Sequence, residues 1–155
     1  MGKLRARFER DLILYVRQMA WLHAVPRPDP DRQQGQPAQL PKPVSRLEQM
    51  KRAGKTPQYP PNPSPHLVRR LIDIGLVEST GMDRQPLSWR EINEYGQTVS
   101  PPLSSWEKRL IRRLSSDYLA ESRAAEDEYR GPPWAGPQTD DDADAEDAAL
   151  RALLG

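Results

Sequence analysis

The chain has 155 residues with 17 prolines, 9 glycines and no cysteine, which leaves room for one modest core and excludes disulfides and thiolate chemistry. A core of that size is marginal alone, so a partner or self-association would help it. The formal charge of +1 conceals a split: residues 1–55 are basic and residues 140–147 acidic, which points to polar partners or to attraction between the two ends.

Residues 3–24 read as a first helix, an N-terminal amphipathic segment over 1–25. Leu4, Phe8, Leu12, Tyr15, Met19 and Leu22 recur at three or four positions, the spacing of one helical face. Such a stripe faces a core, or else pairs in a coiled coil or binds a partner; a basic membrane-surface helix is the weaker reading. The apolar run Asp11 to Val25 contains Arg17 and is too short to span a bilayer. With no clean signal-peptide pattern after the basic start, the expected location is the cytoplasm.

Residues 26–63 read as a proline-rich linker holding one short helix at 45–53. Ser45 and Glu48 have capping-box spacing, and Gly54 can close the turn. The second proline stretch, Pro57 through Pro65, reads as a rigid spacer.

A compact helical domain is expected over 64–134. Ser64 and Pro65 suit the N-cap and first position of a helix carrying Leu67, Leu71 and Ile74 and stopped by Gly75. A connection over 76–87 contains Gly81 and Pro86. Ser88 and Glu91 open a short helix that places Trp89, Ile92 and Tyr95 on one stripe and closes at Gly96. Ser104 and Glu107 open the longest helix, 105–129, with Trp106, Leu110, Leu114 and Tyr118 at intervals of four. Gly131, Pro132 and Pro133 end it. Residues 135–155 read as an acidic flexible tail, in which Asp140, Asp141, Asp142 and Asp144 repel one another. After them Ala148, Ala149, Leu150, Leu153 and Leu154 make about two turns of helix. The expected fold is all-α: a small helical bundle with proline-rich linkers and that tail.

No constellation for chemistry is visible. His23 and His66 are far apart and lack companion ligands for zinc. Asp140, Asp142 and Asp144 imitate a calcium loop, but Ala145 and Arg151 stand where glycine and a bidentate acid are needed. There is no phosphate loop, dinucleotide fingerprint or nucleophile elbow. Carboxylates sit on helices as members of charged faces, and general acid–base work needs them perturbed in a pocket. The arginines 90, 109, 112 and 113 are interleaved with Glu91, Glu94, Glu107, Asp117 and Glu121, so the uncompensated patch that phosphate binding needs is missing and nucleic acid is a disfavoured partner. No cofactor and no metal is expected, and no membrane association. Trp89, Trp106 and Trp134 are read first as core, with interface anchors as the competitor.

The string Pro86-Leu87-Ser88-Trp89-Arg90-Glu91-Ile92, followed by Leu103, Trp106-Glu107, Leu110-Ile111-Arg112-Arg113-Leu114-Ser115, Tyr118, Ala120-Glu121-Ser122 and Pro132-Pro133-Trp134, resembles the tail assembly chaperones of long, non-contractile-tailed bacteriophages, including siphophage proteins of the minor tail protein T-like kind. Leu71, Ile74-Gly75 and Gly81-Met82 fit the same pattern, so the resemblance spans roughly residues 45–134. It implies a viral protein of the host cytoplasm that is not an enzyme. Such a protein would keep the tape-measure protein soluble and recruit tail tube protein, with a companion chaperone as a further partner; a homo-oligomer is compatible. The competing expectations are a structural virion component of the tail or head–tail connector, and a small helical nucleic-acid-binding regulator or packaging factor. The residues expected to touch a partner are Phe8, Tyr15, Met19, Trp89, Trp106, Arg112, Arg113, Leu150 and Leu153. The helix over 3–24 and the segment 145–154 are expected to act as binding arms; the alternative is that the first helix folds back and completes the bundle.

Overall fold

A computed structural model of the chain describes residues 2–32, 42–137 and 148–154. The elements are α1 (Gly2–His23), a 3-10 turn (Pro30–Arg32), α2 (Arg46–Arg52), α3 (Pro65–Ile74), β1 (Val77–Thr80), β2 (Asp83–Pro86), α4 (Trp89–Thr98) and α5 (Ser105–Ala124). A last helix, α6, covers 148–154. The fold is mostly helical but not all-α, because residues read as a connection pair as an antiparallel hairpin, Val77 opposite Pro86 and Thr80 opposite Asp83. Its two-residue loop has Gly81 at φ +65° in the first central position, the demand of a II′ turn.

Serine caps set the helix starts. The Ser45, Ser64 and Ser88 hydroxyls accept the backbone N–H of Glu48, Leu67 and Glu91. At Ser104 both halves of the box close: its hydroxyl accepts the Glu107 N–H at 3.2 Å, and the Glu107 carboxylate accepts the Ser104 N–H at 3.0 Å. The helix ends depart from expectation. Gly96 does not end α4, which continues to Thr98; it lies buried in the helix with the Lys108 chain across it. The last long helix stops at Ala124 rather than 129, and turns follow over 125–129.

The core is built around α5, which packs against α1, α3, α4 and both strands. Leu110, Ile111, Leu114 and Tyr118 meet Leu12, Val16 and Met19 of α1, Leu67 and Leu71 of α3, and Leu87 and Ile92 at α4. The first helix therefore completes the bundle and is not a detached arm. Contacts between Phe8 and Trp106, Arg17 and Asp117, and Trp21 and Arg130 show that α1 and α5 run side by side in the same direction. Burying one aliphatic side chain there contributes about 1.5–3 kcal/mol.

Two buried acids on α5 correct the expectation that its carboxylates face solvent. Asp117 accepts from Arg17 at 2.9 Å and from Arg113 at 3.0 Å. Glu121 takes both arms of the Arg130 guanidinium, at 3.2 and 3.1 Å, and this pairing raises the Arg130 pKa further above its ordinary value. Ser115, also buried, ties the hairpin down: its hydroxyl accepts the Leu87 N–H at 2.9 Å and donates to the Leu76 carbonyl at 2.6 Å. Leu76 sits at φ +68°, an uncommon conformation for a residue with a Cβ.

The described parts of the proline-rich stretches pack against the body rather than acting as spacers, and residues 33–41 lie outside the described residues. Arg27 donates to the Glu126 carbonyl at 2.8 Å, so the chain after α1 runs beside the chain after α5. Pro60 is buried, Tyr59 stacks on Tyr15 with ring centroids 5.4 Å apart, and burial pushes the Tyr59 hydroxyl pKa up. The Gln18 side chain donates to the Gln58 carbonyl at 3.0 Å and accepts the Trp134 N–H at 3.1 Å. Arg46 donates to the Trp21 and Asp127 carbonyls and lies 4.7 Å over the Trp21 ring.

Candidate functional site

The first two turns of α1 and the first turn of α5 leave an open apolar trough. Its floor is the Phe8–Trp106 pair, with ring centroids 5.9 Å apart and planes tilted by 34°, a favourable offset geometry. Leu4, 81% exposed, stands at one side. Leu4, Arg5, Phe8, Trp106 and the backbone at Gly2 line a cavity of about 520 Å³. The Arg5 guanidinium covers the Trp106 ring at 4.9 Å, and the Trp106 indole donates to Glu9 at 3.4 Å. Trp106 is thus half-buried against α1 at the edge of the core. Beyond Glu9 a second shallow groove is bounded by Lys3, Ala6, Arg10, Ile13 and Arg113.

Basic side chains crowd this end of α1, Arg5 at the trough and Lys3 and Arg10 at the second groove with Glu9; these three cations have no ion pair among the described residues, while Arg7 has a loose one with Asp11 at 4.0 Å. An open apolar floor edged by one arginine suits a helix with an apolar stripe.

The nine residues expected to touch a partner are dispersed. Phe8 and Trp106 come together as the floor, and Arg113 reaches the second groove while holding Asp117. Trp89 is on the surface rather than in the core, 46% exposed, with the Arg112 guanidinium 5.4 Å over its ring. The Arg112 Nε is buried without a hydrogen-bond partner. Tyr15 is covered by Tyr59. Met19, 6% exposed, is core and cannot meet a partner, because its place on the stripe is the part that α5 covers. Leu150 and Leu153 are on α6 with exposures of 54% and 84%, and Leu154 joins them on the same face. Asp140, Asp141, Asp142 and Asp144, and the flexibility expected of that stretch, lie outside the described residues.

Sequence reasoning had Leu4 on the stripe but did not single it out as a site, and it did not mark Arg5 or Lys3. The signal was present: basic residues crowd the first ten positions while the stripe continues through them. The histidines stay apart, His23 near the end of α1 and His66 in the first turn of α3. Among the described residues no group of three or more His, Cys, Asp or Glu could hold a metal ion, and no helix is long and apolar enough to cross a membrane. No family model, no curated protein and no solved structure matches the chain.

Proposed function

We propose that this chain is a non-enzymatic protein-binding factor of phage tail assembly, acting in the host cytoplasm to hold a helical segment of the tape-measure protein and to recruit tail tube subunits. One observation carries the protein-binding part: the Leu4–Phe8–Trp106 trough is apolar, open and edged by Arg5. Aromatic and arginine side chains at the edge of a cavity are what protein partners use as anchors. The assignment to tail assembly rests on the sequence resemblance over residues 45–134, and the trough is the surface where a helical client would seat.

Co-expression with the tape-measure protein of the same tail gene cluster tests it. The wild-type chain should keep the client soluble and co-purify with it, and Phe8→Ala with Trp106→Ala should lose both while retaining its own thermal transition. Equal performance by the wild type and the double variant would remove the trough from the function. Recovery of the chain in stoichiometric amounts from finished virions would favour the structural-component reading. Binding to DNA with a steep salt slope would favour the regulator.

A further inference from the structure

The acids and bases of α5 interleave along the chain but separate around the helix. Its three acids are all engaged: Glu107 closes the box on Ser104, Asp117 is held between Arg17 and Arg113, and Glu121 is paired with Arg130. Three of its bases are engaged elsewhere, Lys108 across Gly96, Arg112 over Trp89 and Arg123 on Asp83. Arg109 and Arg113, one turn apart and both exposed, remain together on one face. A second row runs beside them on α1. Lys3, Arg10 and Arg17 repeat every seven residues, and Ala6 and Ile13 repeat at the same interval between them. Lys3, Ala6, Glu9, Arg10, Ile13 and Arg113 line an open groove of about 520 Å³ along this seam. Both carboxylates of the seam are already taken, Glu9 by the Trp106 indole and Asp117 by two arginines. Lys3, Arg10 and Arg109 have no ion pair among the described residues.

We propose that this seam docks an acidic amphipathic α-helix of another protein, its small apolar face on Ala6 and Ile13 and its carboxylates on the two rows of cations. The floor decides between polyanions. A phosphate backbone gains nothing from Ala6 and Ile13, whereas a helix laid along two others needs small or apolar side chains beneath it. The spacing agrees. Residues seven apart on a helix stand about 10.5 Å apart along its axis, so acids that repeat every seven positions on the partner keep step with Lys3, Arg10 and Arg17. The groove lies on the other side of α1 from Leu4 and Phe8, so this site is separate from the trough and does not rest on the client reading.

Two synthetic three-heptad peptides test the proposal on the full chain, both with an alanine–leucine seam, one flanked by glutamates and the other by glutamines. Fluorescence anisotropy at low salt should show the glutamate peptide binding at least about tenfold more tightly. Lys3→Glu with Arg10→Glu and Arg109→Glu should remove that preference; all three side chains are exposed, so the thermal transition should hold. Ala6→Gln, which fills the floor without changing charge, should weaken the glutamate peptide at least about threefold. Leu4→Ser should leave the peptide bound while weakening the client, so the two sites stand or fall separately. Equal binding of the two peptides, a preference that survives the charge reversals, indifference to Ala6→Gln, or loss of the peptide in Leu4→Ser overturns the proposal. A short DNA duplex that displaces the glutamate peptide and is itself indifferent to Ala6→Gln assigns the face to phosphate. A dimer in sedimentation that the charge reversals dissociate assigns it to a second copy. Either result also overturns the proposal.

Discussion

The two ends of the α1–α5 pair are made from one stripe and end differently. Toward the C-terminal end, Leu12, Val16, Met19 and Leu22 are sealed, and the seal is reinforced by Arg17 on Asp117, Trp21 on the Arg130 carbonyl, Arg46 across Trp21 and the chain at Arg27 against Glu126. At the N-terminal end the same periodicity continues through Phe8, which meets only Trp106 on its ring, to Leu4, which is 81% exposed among the described residues. Periodicity tells which side of a helix is apolar; it does not tell how far along the helix the chain has material to cover that side. An apolar stripe that outruns its own core is where a binding surface is to be sought.

Leu12→Ala, at the sealed end, should cost about 2–5 kcal/mol by leaving a cavity against α5; chemical denaturation measures it, and a cost under about 1 kcal/mol would mean that end is no better packed than the other. Ser115→Ala should cost about 1–3 kcal/mol, because it strands the Leu87 N–H and the Leu76 carbonyl at a buried position; loss of hairpin amide protection should accompany it. Trp106→Ala, at the open end, should cost about 1–2 kcal/mol, the worth of a half-buried ring on Phe8; a loss as large as that of Leu12→Ala would make the trough part of the core. Leu4→Ser should stay within about 0.5 kcal/mol of wild type and yet weaken client binding.

The sealed end also has a pH signature. Burial, the largest influence, pushes the Tyr118 hydroxyl above its ordinary value of 10, although Arg84 and Ser122 pull the other way. The folded state then keeps a proton that the unfolded chain releases. Stability from this group is whole below about pH 10 and falls as the pH rises toward the folded value. Tyr118→Phe should flatten that alkaline decline in a urea titration, leaving the slope due to Tyr59, whose hydroxyl is also raised by burial.

Much of this was legible beforehand. Serine followed three residues later by a glutamate marked α2, α4 and α5 because capping is local chemistry, and Ser64 with Pro65 marked α3 for the same reason. The hairpin was hidden because Val77–Thr80 and Asp83–Pro86 are short and polar, without the alternation that identifies a strand, and are held by a serine 28 residues further on at Leu87. Gly96 misled because a glycine inside a helix looks like its end; here it makes room for Lys108. Proline content suggested linkers, since composition reports what a segment cannot hydrogen-bond and not what lies against it. The floor of the trough was half legible: Phe8 and Trp106 were both singled out, but nothing in a one-dimensional pattern places residues 98 positions apart in contact.

The Gln18 amide has a consequence for how this chain can be threaded. A carboxamide has a giving end and a receiving end, and here the first is matched to a carbonyl at Gln58 and the second to an N–H at Trp134. The two stretches it holds are both rich in proline, which removes several of their donors. They are nevertheless not exchangeable: the stretch around 58 can offer the carbonyl, and Trp134 is the first residue after Pro132 and Pro133 that can offer the N–H. One side chain thereby tells two similar ribbons apart and holds both at one place on the first helix, where they line a common pocket.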